Sequence, residues 1–463
     1  MGYSVASFRR AASRVFLTFP ASFAFLLFAM FITLFRLEVA GVLFFILLIS
    51  ALLVLCDDIT VTTLPFLLLS TFSLKCYDSF DTFIRFAPLG IFPIAALFCH
   101  IAWNKRRFSV GKSFGGIVFV AVAVILGGAF SISFEEYISF SSLFYIAGLG
   151  VGMIFAYLIM KREFVPSGEY ALVDRLLALF YMAGVFGILM LCLHVLTEFR
   201  AIRENGFYIQ WSNNLSTLMM LFMPAPFYFA LTRHRAHYFV GLTFYLALAL
   251  TGSRGGFLMG GVELLFCLGA ISRRDRRLRA ASLVTVALFA LLVIFGYGIV
   301  VEYFKVAEDA GIISENEARA HLIVAAIRDF ISAPIFGQGI GYRGNQGIYQ
   351  PVKGAANWYH MMLPQIIGSF GAVGIVAYGY QFLGRIRLIV AKRTWQRVAL
   401  GLSYGGMLLM SQVNPGEFCP VPYELLTVLL FIFLELPDAE LDGSRSGAFV
   451  RLERKNKEKR VIH

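Results

Sequence analysis

The sequence contains few charged residues. Only 15% of its 463 residues are Asp, Glu, Lys or Arg, and 59% are hydrophobic. Soluble globular domains carry about 25% charged residues, and segments 23–35 and 119–130 of this chain carry none. A soluble fold would lack the polar surface needed to cover this much apolar material. The composition therefore excludes a soluble domain and predicts an all-α polytopic membrane protein.

Acidic residues and cysteines are also scarce. Asp and Glu number 28 against 40 Lys and Arg, which gives a formal net charge of +12. In a membrane chain this excess indicates cytoplasmic loops held against anionic lipid, so membrane lipids are expected partners and nucleic acid is not. The six cysteines form no CxxC motif. We interpret those in or beside apolar stretches as small hydrophobic side chains.

A membrane-spanning helix needs about 20 mostly apolar residues. The chain has fourteen candidate segments. Four of them are short enough to be tilted, re-entrant or fused with a neighbour, so we predict 12 to 14 transmembrane helices. The candidates lie near 15–35, 38–55, 59–75, 84–103, 114–134, 140–160, 171–196, 212–231, 238–252, 255–271, 281–303, 361–384, 397–413 and 423–436.

The orientation follows from the basic residues between these segments. With the N-terminus inside, cytoplasmic connections hold 28 Lys and Arg, outer connections hold 11, and Arg175 lies within a span. This asymmetry satisfies the positive-inside rule, and the SRRDRRLR run at 272–279 is its strongest anchor. Both termini are therefore predicted to be cytoplasmic.

One outer connection differs from the rest because it exceeds 50 residues. The prediction divides the chain into about eleven helices (1–303), an extracytoplasmic loop (304–360), C-terminal helices (361–436) and a basic cytoplasmic tail (437–463). Within the loop, Ser314-Glu-Asn-Glu317 is a capping box that predicts a helix over 315–332. Pro334 should end it, and a glycine-rich turn follows. Its glycines are Gly337, Gly339, Gly341 and Gly344.

The first candidate site is Thr251-Gly-Ser-Arg-Gly-Gly256, a turn between two short apolar segments on the predicted outer face. Arg254 follows Ser253 at the start of the second segment. A guanidinium beside the free N–H groups of a helix start is suited to bind an anion. The alternative is an arginine whose side chain reaches the membrane interface at a helical hairpin.

The predicted loop helix supplies the second candidate. Arg319 and Arg328 are nine positions apart, which places them on opposite faces of a straight helix. Arg319 shares its face with Ile323, Ala326 and Phe330, so it is the residue expected to face a site. The alternative for Arg319 is a surface salt bridge with a nearby glutamate.

The third candidate is Asn357-Trp-Tyr-His360, where the outer loop enters the membrane. Asn357 lies one helical turn before His360 and could fix the tautomer of its imidazole. Trp358 and Tyr359 lie at interface depth. The alternative is an aromatic belt containing an interfacial histidine. No outer cluster of His, Asp, Glu or Cys has metal-ligand spacing, so neither a metal nor a cofactor is predicted.

The order of these motifs resembles the O-antigen ligase/polymerase family of bacterial envelope glycosyltransferases. TGSRGG comes first, and Arg319 precedes Ala333-Pro-Ile-Phe-Gly-Gln-Gly-Ile-Gly-Tyr342. His360 follows, with a span containing Gly368, Gly371 and Gly374. The resemblance covers roughly 210–411, and the N-terminal half matches in hydropathy only. Members often have Asn directly after the histidine, whereas Met361 stands there in this chain.

The resemblance implies a GT-C-like enzyme of the bacterial inner membrane, with no metal and an active site in the outer loop. The donor would be a glycan on undecaprenyl diphosphate, and the acceptor a lipid A core or a growing polysaccharide. Arg254 and Arg319 would bind the diphosphate, and His360 would be catalytic. Ser253, Asn357 and Tyr359 would support them. The resemblance does not choose between a ligase and a polymerase.

The residues agree with this chemistry. An activated sugar outside the cytoplasm must arrive lipid-linked, arginines can stabilise a departing diphosphate, and a neutral histidine can deprotonate a hydroxyl. Direct displacement would invert the anomeric centre. A transporter or a lipid-linked oligosaccharide flippase is the alternative, and it should have ionisable residues in mid-span. Few such residues are evident in the sequence, Glu263 being the clearest. A non-catalytic membrane scaffold is the third possibility.

Overall fold

The computed structural model describes residues 2–76, 86–104, 106–164, 172–199, 212–309, 315–342, 359–391, 394–414 and 416–436. These residues are overwhelmingly helical and include no strand, so the all-α prediction is confirmed. The helices are α1 (Gly2–Phe16), α2 (Phe19–Leu34), α3 (Glu38–Leu55), α4 (Thr63–Cys76), α5 (Ile91–Trp103), α6 (Phe114–Phe130), α7 (Phe134–Tyr137), α8 (Phe140–Ala147), α9 (Met153–Glu163), α10 (Leu172–Thr197), α11 (Ser212–Phe222), α12 (Pro224–Thr232), α13 (His237–Leu250), α14 (Arg254–Ser272), α15 (Arg276–Asp309), α16 (Glu315–Ser332), α17 (Met362–Val390), α18 (Trp395–Met410) and α19 (Leu425–Leu434).

Several helices are long and apolar enough to cross a membrane. In the described part of the chain there are six, or up to seven if the bent pair Val5–Phe16 and Phe19–Leu34 is one span. Five shorter apolar helices accompany them. The polytopic membrane character is therefore supported, while the count of 12 to 14 spans stays a prediction. The six are Glu38–Leu55, Ser142–Glu163, Val173–Thr197, Ser212–Thr232, Arg254–Ser272 and Met362–Val390.

The chain folds as two compact units. Unit 1 comprises Met1–Val110, Leu158–Met190 and Glu435–His463, and unit 2 comprises Gly111–Tyr157 and Leu191–Leu434. The three candidate motifs all belong to unit 2. The predicted tail at 437–463 lies outside the described residues.

Helix α16 covers 315–332, as its sequence signals predict. Its packed face consists of Leu322, Ala325 and Ala326, which are all buried. Ile323, which the sequence places on the face of Arg319, is 42% exposed. Ala326, which is also on the predicted face, is buried, so the packed face overlaps the predicted one but is rotated away from Ile323. The small alanines allow the close approach to α17.

Helix α17 is interrupted at Gly371, whose φ of 58° and ψ of −149° are not helical. The glycine-rich turn after α16 packs against this break. The closeness is clear at Gly337, where a Cβ atom would lie 2.4 Å from the Phe370 nitrogen. Since φ at Gly337 is 72°, both the space and the backbone require glycine there.

Backbone hydrogen bonds join the turn to the break. They replace the helical bonds that α17 loses at Gly371, so the polar groups stay satisfied within an apolar protein. The donors and acceptors are Gln338 N to Gly368 O (2.9 Å), Gly339 N to Ser369 O (3.0 Å), Ala372 N to Pro334 O (2.8 Å) and Val373 N to Ile335 O (3.1 Å).

Candidate functional site

The TGSRGG turn joins α13 to α14, and Arg254 is the first residue of α14. Ser253 is the N-cap, and its Oγ accepts a hydrogen bond from Gly256 N at 3.0 Å. Gly252 turns the chain with a φ of 73°. Ser253 is buried and Arg254 is half-buried. The helix start therefore presents its positive dipole end beside a guanidinium, which is a favourable setting for an anion.

The start of α11 packs against this turn through polar side chains. Ser253 Oγ donates to Asn213 Oδ1 at 2.6 Å, and the Ser216 and Thr251 hydroxyls share a hydrogen bond of 2.9 Å. A Cβ atom on Gly256 would lie 2.4 Å from Ser216 Oγ. The last glycine of the motif, Gly256, thus allows α11 and α14 to approach closely.

A short turn after α18, at 411–414, connects this helix start to the His360 region. On one side, Asn414 Nδ2 donates to Asn214 Oδ1 at 3.2 Å, and Val413 packs where Gly255 has no side chain. On the other side, the Ser411 carbonyl accepts from Met362 N at 2.8 Å. His360 lies two residues before Met362. One turn therefore contacts both the helix start that carries Arg254 and the segment that carries His360.

His360 has a φ of 53° and is half-buried. Its neighbour Tyr359 is 3% exposed and packs with Ala325 and Ala326 of α16. The Tyr359 hydroxyl donates to Asp329. Burial raises the pKa of the Asp329 carboxyl, and the hydrogen bond from Tyr359 opposes that rise.

In unit 2, the contacts described above link the two segments that carry four predicted site residues: Ser253, Arg254, Tyr359 and His360. For Arg319 the structure describes the backbone, in the second turn of α16, but not the side chain. Asn357 lies outside the described residues. Arg328 is exposed on α16.

Several polar residues of this region were missed by the sequence reasoning. All but Asp329, which lies in the loop helix α16, stand near the end of an apolar segment. A polar residue is ordinarily expected there, so the residue type alone gave no signal. The adjacent amides Asn213-Asn214 and the SQVN run before Pro415 were the available clues. The missed residues are Asn213, Asn214, Asp329, Gln365, Ser411, Gln412 and Asn414.

A buried ionic cluster lies next to the 411–414 turn. Arg385 donates to Glu417 Oε1 at 3.1 Å and to Glu424 Oε1 at 2.7 Å, and all three are buried. Glu417 N donates to Ser411 Oγ at 3.3 Å, so the cluster supports the turn. Ionisable residues within the apolar helices are therefore more numerous than the sequence suggested.

Among the described residues, no group of three or more His, Cys, Asp or Glu could hold a metal ion. Comparison with protein-family models, with curated proteins and with solved structures finds no match to this chain. The resemblance to the O-antigen ligase/polymerase family therefore rests on its motifs alone.

Proposed function

We propose that this protein is a GT-C-like glycosyltransferase of the O-antigen ligase/polymerase type in a bacterial inner membrane. It would transfer a glycan from undecaprenyl diphosphate to a sugar hydroxyl at the extracytoplasmic face. One observation carries the proposal. The 411–414 turn packs Val413 against Gly255 in the helix start bearing Arg254, and Ser411 of the same turn accepts a hydrogen bond from Met362 in the segment bearing His360.

In this proposal Arg254 binds the donor diphosphate. The leaving group gains negative charge as the glycosidic bond breaks, and a guanidinium at a helix start stabilises that charge. Two phosphate oxygens also fit the planar fork of an arginine better than the single point of a lysine ammonium. Arg319, from the loop helix, would supply the second cation. Asn213 and Asn414 border this position and offer amide groups to the sugar.

His360 is the proposed general base. A neutral imidazole takes the proton of the acceptor hydroxyl while its oxygen attacks the anomeric carbon. The bond between that carbon and the phosphate oxygen breaks, and the diphosphate departs with the electron pair. A single displacement inverts the anomeric centre. The acceptor would be a lipid A core in a ligase or a growing polysaccharide in a polymerase, and the same residues serve either reaction.

A transporter or a flippase of lipid-linked oligosaccharide is the second candidate. It is favoured by the cluster of Arg385, Glu417 and Glu424, and by Glu263, whose buried carboxylate has no hydrogen-bond partner among the described residues. Buried ionisable groups in apolar helices often mark transport pathways. The two candidates differ in chemistry, because a flippase leaves the sugar–phosphate bond of its substrate intact.

The test uses purified protein in lipid nanodiscs with an undecaprenyl-diphosphate-linked glycan and a sugar acceptor. Mass spectrometry should detect a new glycosidic bond and free undecaprenyl diphosphate. Arg254→Ala should weaken donor binding about 10- to 100-fold, since hydrogen bonds to charged groups contribute about 1.5–3 kcal/mol. Arg254→Lys should recover part of it.

Arg328→Ala is the matched control because Arg328 is an exposed arginine on α16. It should bind donor and turn it over like the unmodified protein. Intact donor after prolonged incubation, together with its movement across a liposome membrane, would replace the proposed transferase with a flippase.

A further inference from the structure

His360 holds an unusual backbone conformation. Its φ of 53° lies in the left-handed region, which costs a non-glycine residue about 1–2 kcal/mol. Such a conformation persists when the surrounding structure over-determines it, and it commonly aims a functional side chain. The contacts on either side of His360 therefore decide where its imidazole points.

On the N-terminal side, Tyr359 is held at both ends. Its backbone N–H donates to Gln365 Oε1 at 3.0 Å, and Gln365 Nε2 in turn donates to Ser369 Oγ at 2.8 Å. Its hydroxyl donates to Asp329 on α16. The backbone and the far end of the ring are thus fixed by different helices, α17 and α16.

The Tyr359 ring is closely packed by small residues of α16 and α17. A Cβ atom on Gly368 would lie 2.6 Å from the ring carbon that bears the hydroxyl, and the ring also packs with Ala325 and Ala326 of α16. These three small residues thus leave room for the ring between α16 and α17. The ring therefore cannot swing to another rotamer without moving α16 or α17.

On the C-terminal side, Met362 N donates to the Ser411 carbonyl. Only His360 and Met361 lie between the two anchors, so the anchors leave little freedom to the His360 backbone. Asp329 is the one charged residue among the side-chain contacts described for these anchors. Burial raises the pKa of its carboxyl. The hydrogen bond from the Tyr359 hydroxyl stabilises the ionised form, and Asp329 in turn gives that hydroxyl an acceptor.

We propose that Asp329 is a positioning residue for His360 and that it acts through the Tyr359 hydroxyl. Its kinetic consequence rests on the proposed transferase function, whereas its structural consequence does not. Asp329 lies ten residues after Arg319 on the same helix. The hydrogen bond therefore ties the helix that carries the proposed diphosphate-binding Arg319 to the segment that carries the proposed base.

The structural test follows the imidazole directly. Protein labelled with ¹⁵N-histidine in nanodiscs gives ring resonances, and loss of one in His360→Gln assigns His360. Tyr359→Phe removes only the hydroxyl, so it should shift or broaden the His360 resonances. Asp329→Ala should do the same, whereas Asp329→Asn keeps an acceptor oxygen and should leave them near their original positions. Arg328→Ala, an exposed neighbour, should change nothing.

The kinetic test uses the same variants. Tyr359→Phe and Asp329→Ala should each lower kcat about 10- to 100-fold, the loss expected of a misplaced catalytic group, with donor KM unchanged within about twofold. The double variant should be no slower than the slower single variant, because both remove one interaction. Asp329→Asn should restore most of kcat.

The outcomes separate the two proposals. Unmoved His360 resonances in Tyr359→Phe and Asp329→Ala, or an Asp329→Asn variant as impaired as Asp329→Ala, would overturn the positioning role. If the resonances move as expected but the unmodified protein transfers no glycan, the positioning role stands and the transferase function fails.

Discussion

Two polar regions of the molecule differ in the groups that make their contacts: charged side chains in unit 1, and hydroxyls and amides at the start of α14 in unit 2. In unit 1, Arg9 donates to the carbonyls of Val54 and Cys56 and to Asn104. Beside it, His100 and Glu163 are both fully buried and 3.3 Å apart. Charged groups here are paired with other protein groups, and the contacts join α1, α3, α5 and α9. A region of this kind holds helices together.

In unit 2, the described polar contacts around the start of α14 are made by hydroxyls and amides. They join serine and threonine hydroxyls, asparagine side chains and backbone groups. These neutral groups shape the turn that carries Arg254, whereas the carboxylate of Asp329 lies beside Tyr359. Hydroxyl and amide contacts thus shape the helix start in unit 2, whereas buried charged groups hold the helices of unit 1 together.

The largest effect is expected at His360. His360→Ala should lower the transfer rate about 10²- to 10⁴-fold, the usual contribution of a general base, and should leave donor binding nearly intact. Single-turnover glycan transfer beside a donor-binding assay measures both quantities. Arg328→Ala, carried through the same assays, should match the unmodified protein. Full activity in His360→Ala would show that the region in unit 2 is not a catalytic site.

The reverse pattern is expected in unit 1. Glu163→Ala leaves the buried His100 and the neighbouring Arg162 and Arg106 without their carboxylate, and breaking a buried ion pair costs about 3–5 kcal/mol. The variant should unfold at lower temperature or denaturant concentration in nanodiscs. The part that stays folded should bind donor normally. Weakened donor binding in folded Glu163→Ala protein would erase the distinction between the two regions.

Local signals in the sequence predicted part of this structure well. Helix α16 has the predicted bounds, since the capping-box sequence Ser314–Glu317 and Pro334 are local signals that lie within a few residues of its ends. The break in α17 could not be predicted, since Gly371 lies in a continuous apolar run and the groups that satisfy its backbone come from a turn more than thirty positions earlier. The 411–414 turn escaped prediction for the same reason, because its importance arises from packing against distant segments.

An intermediate effect, on stability, is expected in the glycine-rich turn of unit 2. Gly337→Ala forces a side chain into a left-handed backbone and against the Phe370 amide, and strained positions of this kind cost about 1–3 kcal/mol. Stability in nanodiscs should fall by that amount. Gly379→Ala on α17 is the control, because a Cβ atom there meets nothing within 4 Å. Equal stability of the two variants would mean that the turn does not support the broken helix.

The smallest effect is expected on metal removal. In the proposed reaction the charge on the departing diphosphate is stabilised by Arg254 and Arg319, and the acceptor proton is removed by His360. Neither of these two steps needs a metal-bound water or a metal-bridged phosphate. Glycan transfer should therefore keep its rate when EDTA is added, while a Mg²⁺-dependent phosphatase in the same nanodisc buffer loses activity. If EDTA abolished transfer and Mg²⁺ or Mn²⁺ restored it, carboxylates would have to act in the site. The contrast between the hydroxyl and amide contacts of the proposed site in unit 2 and the buried charge pairs of unit 1 would then no longer separate function from stability.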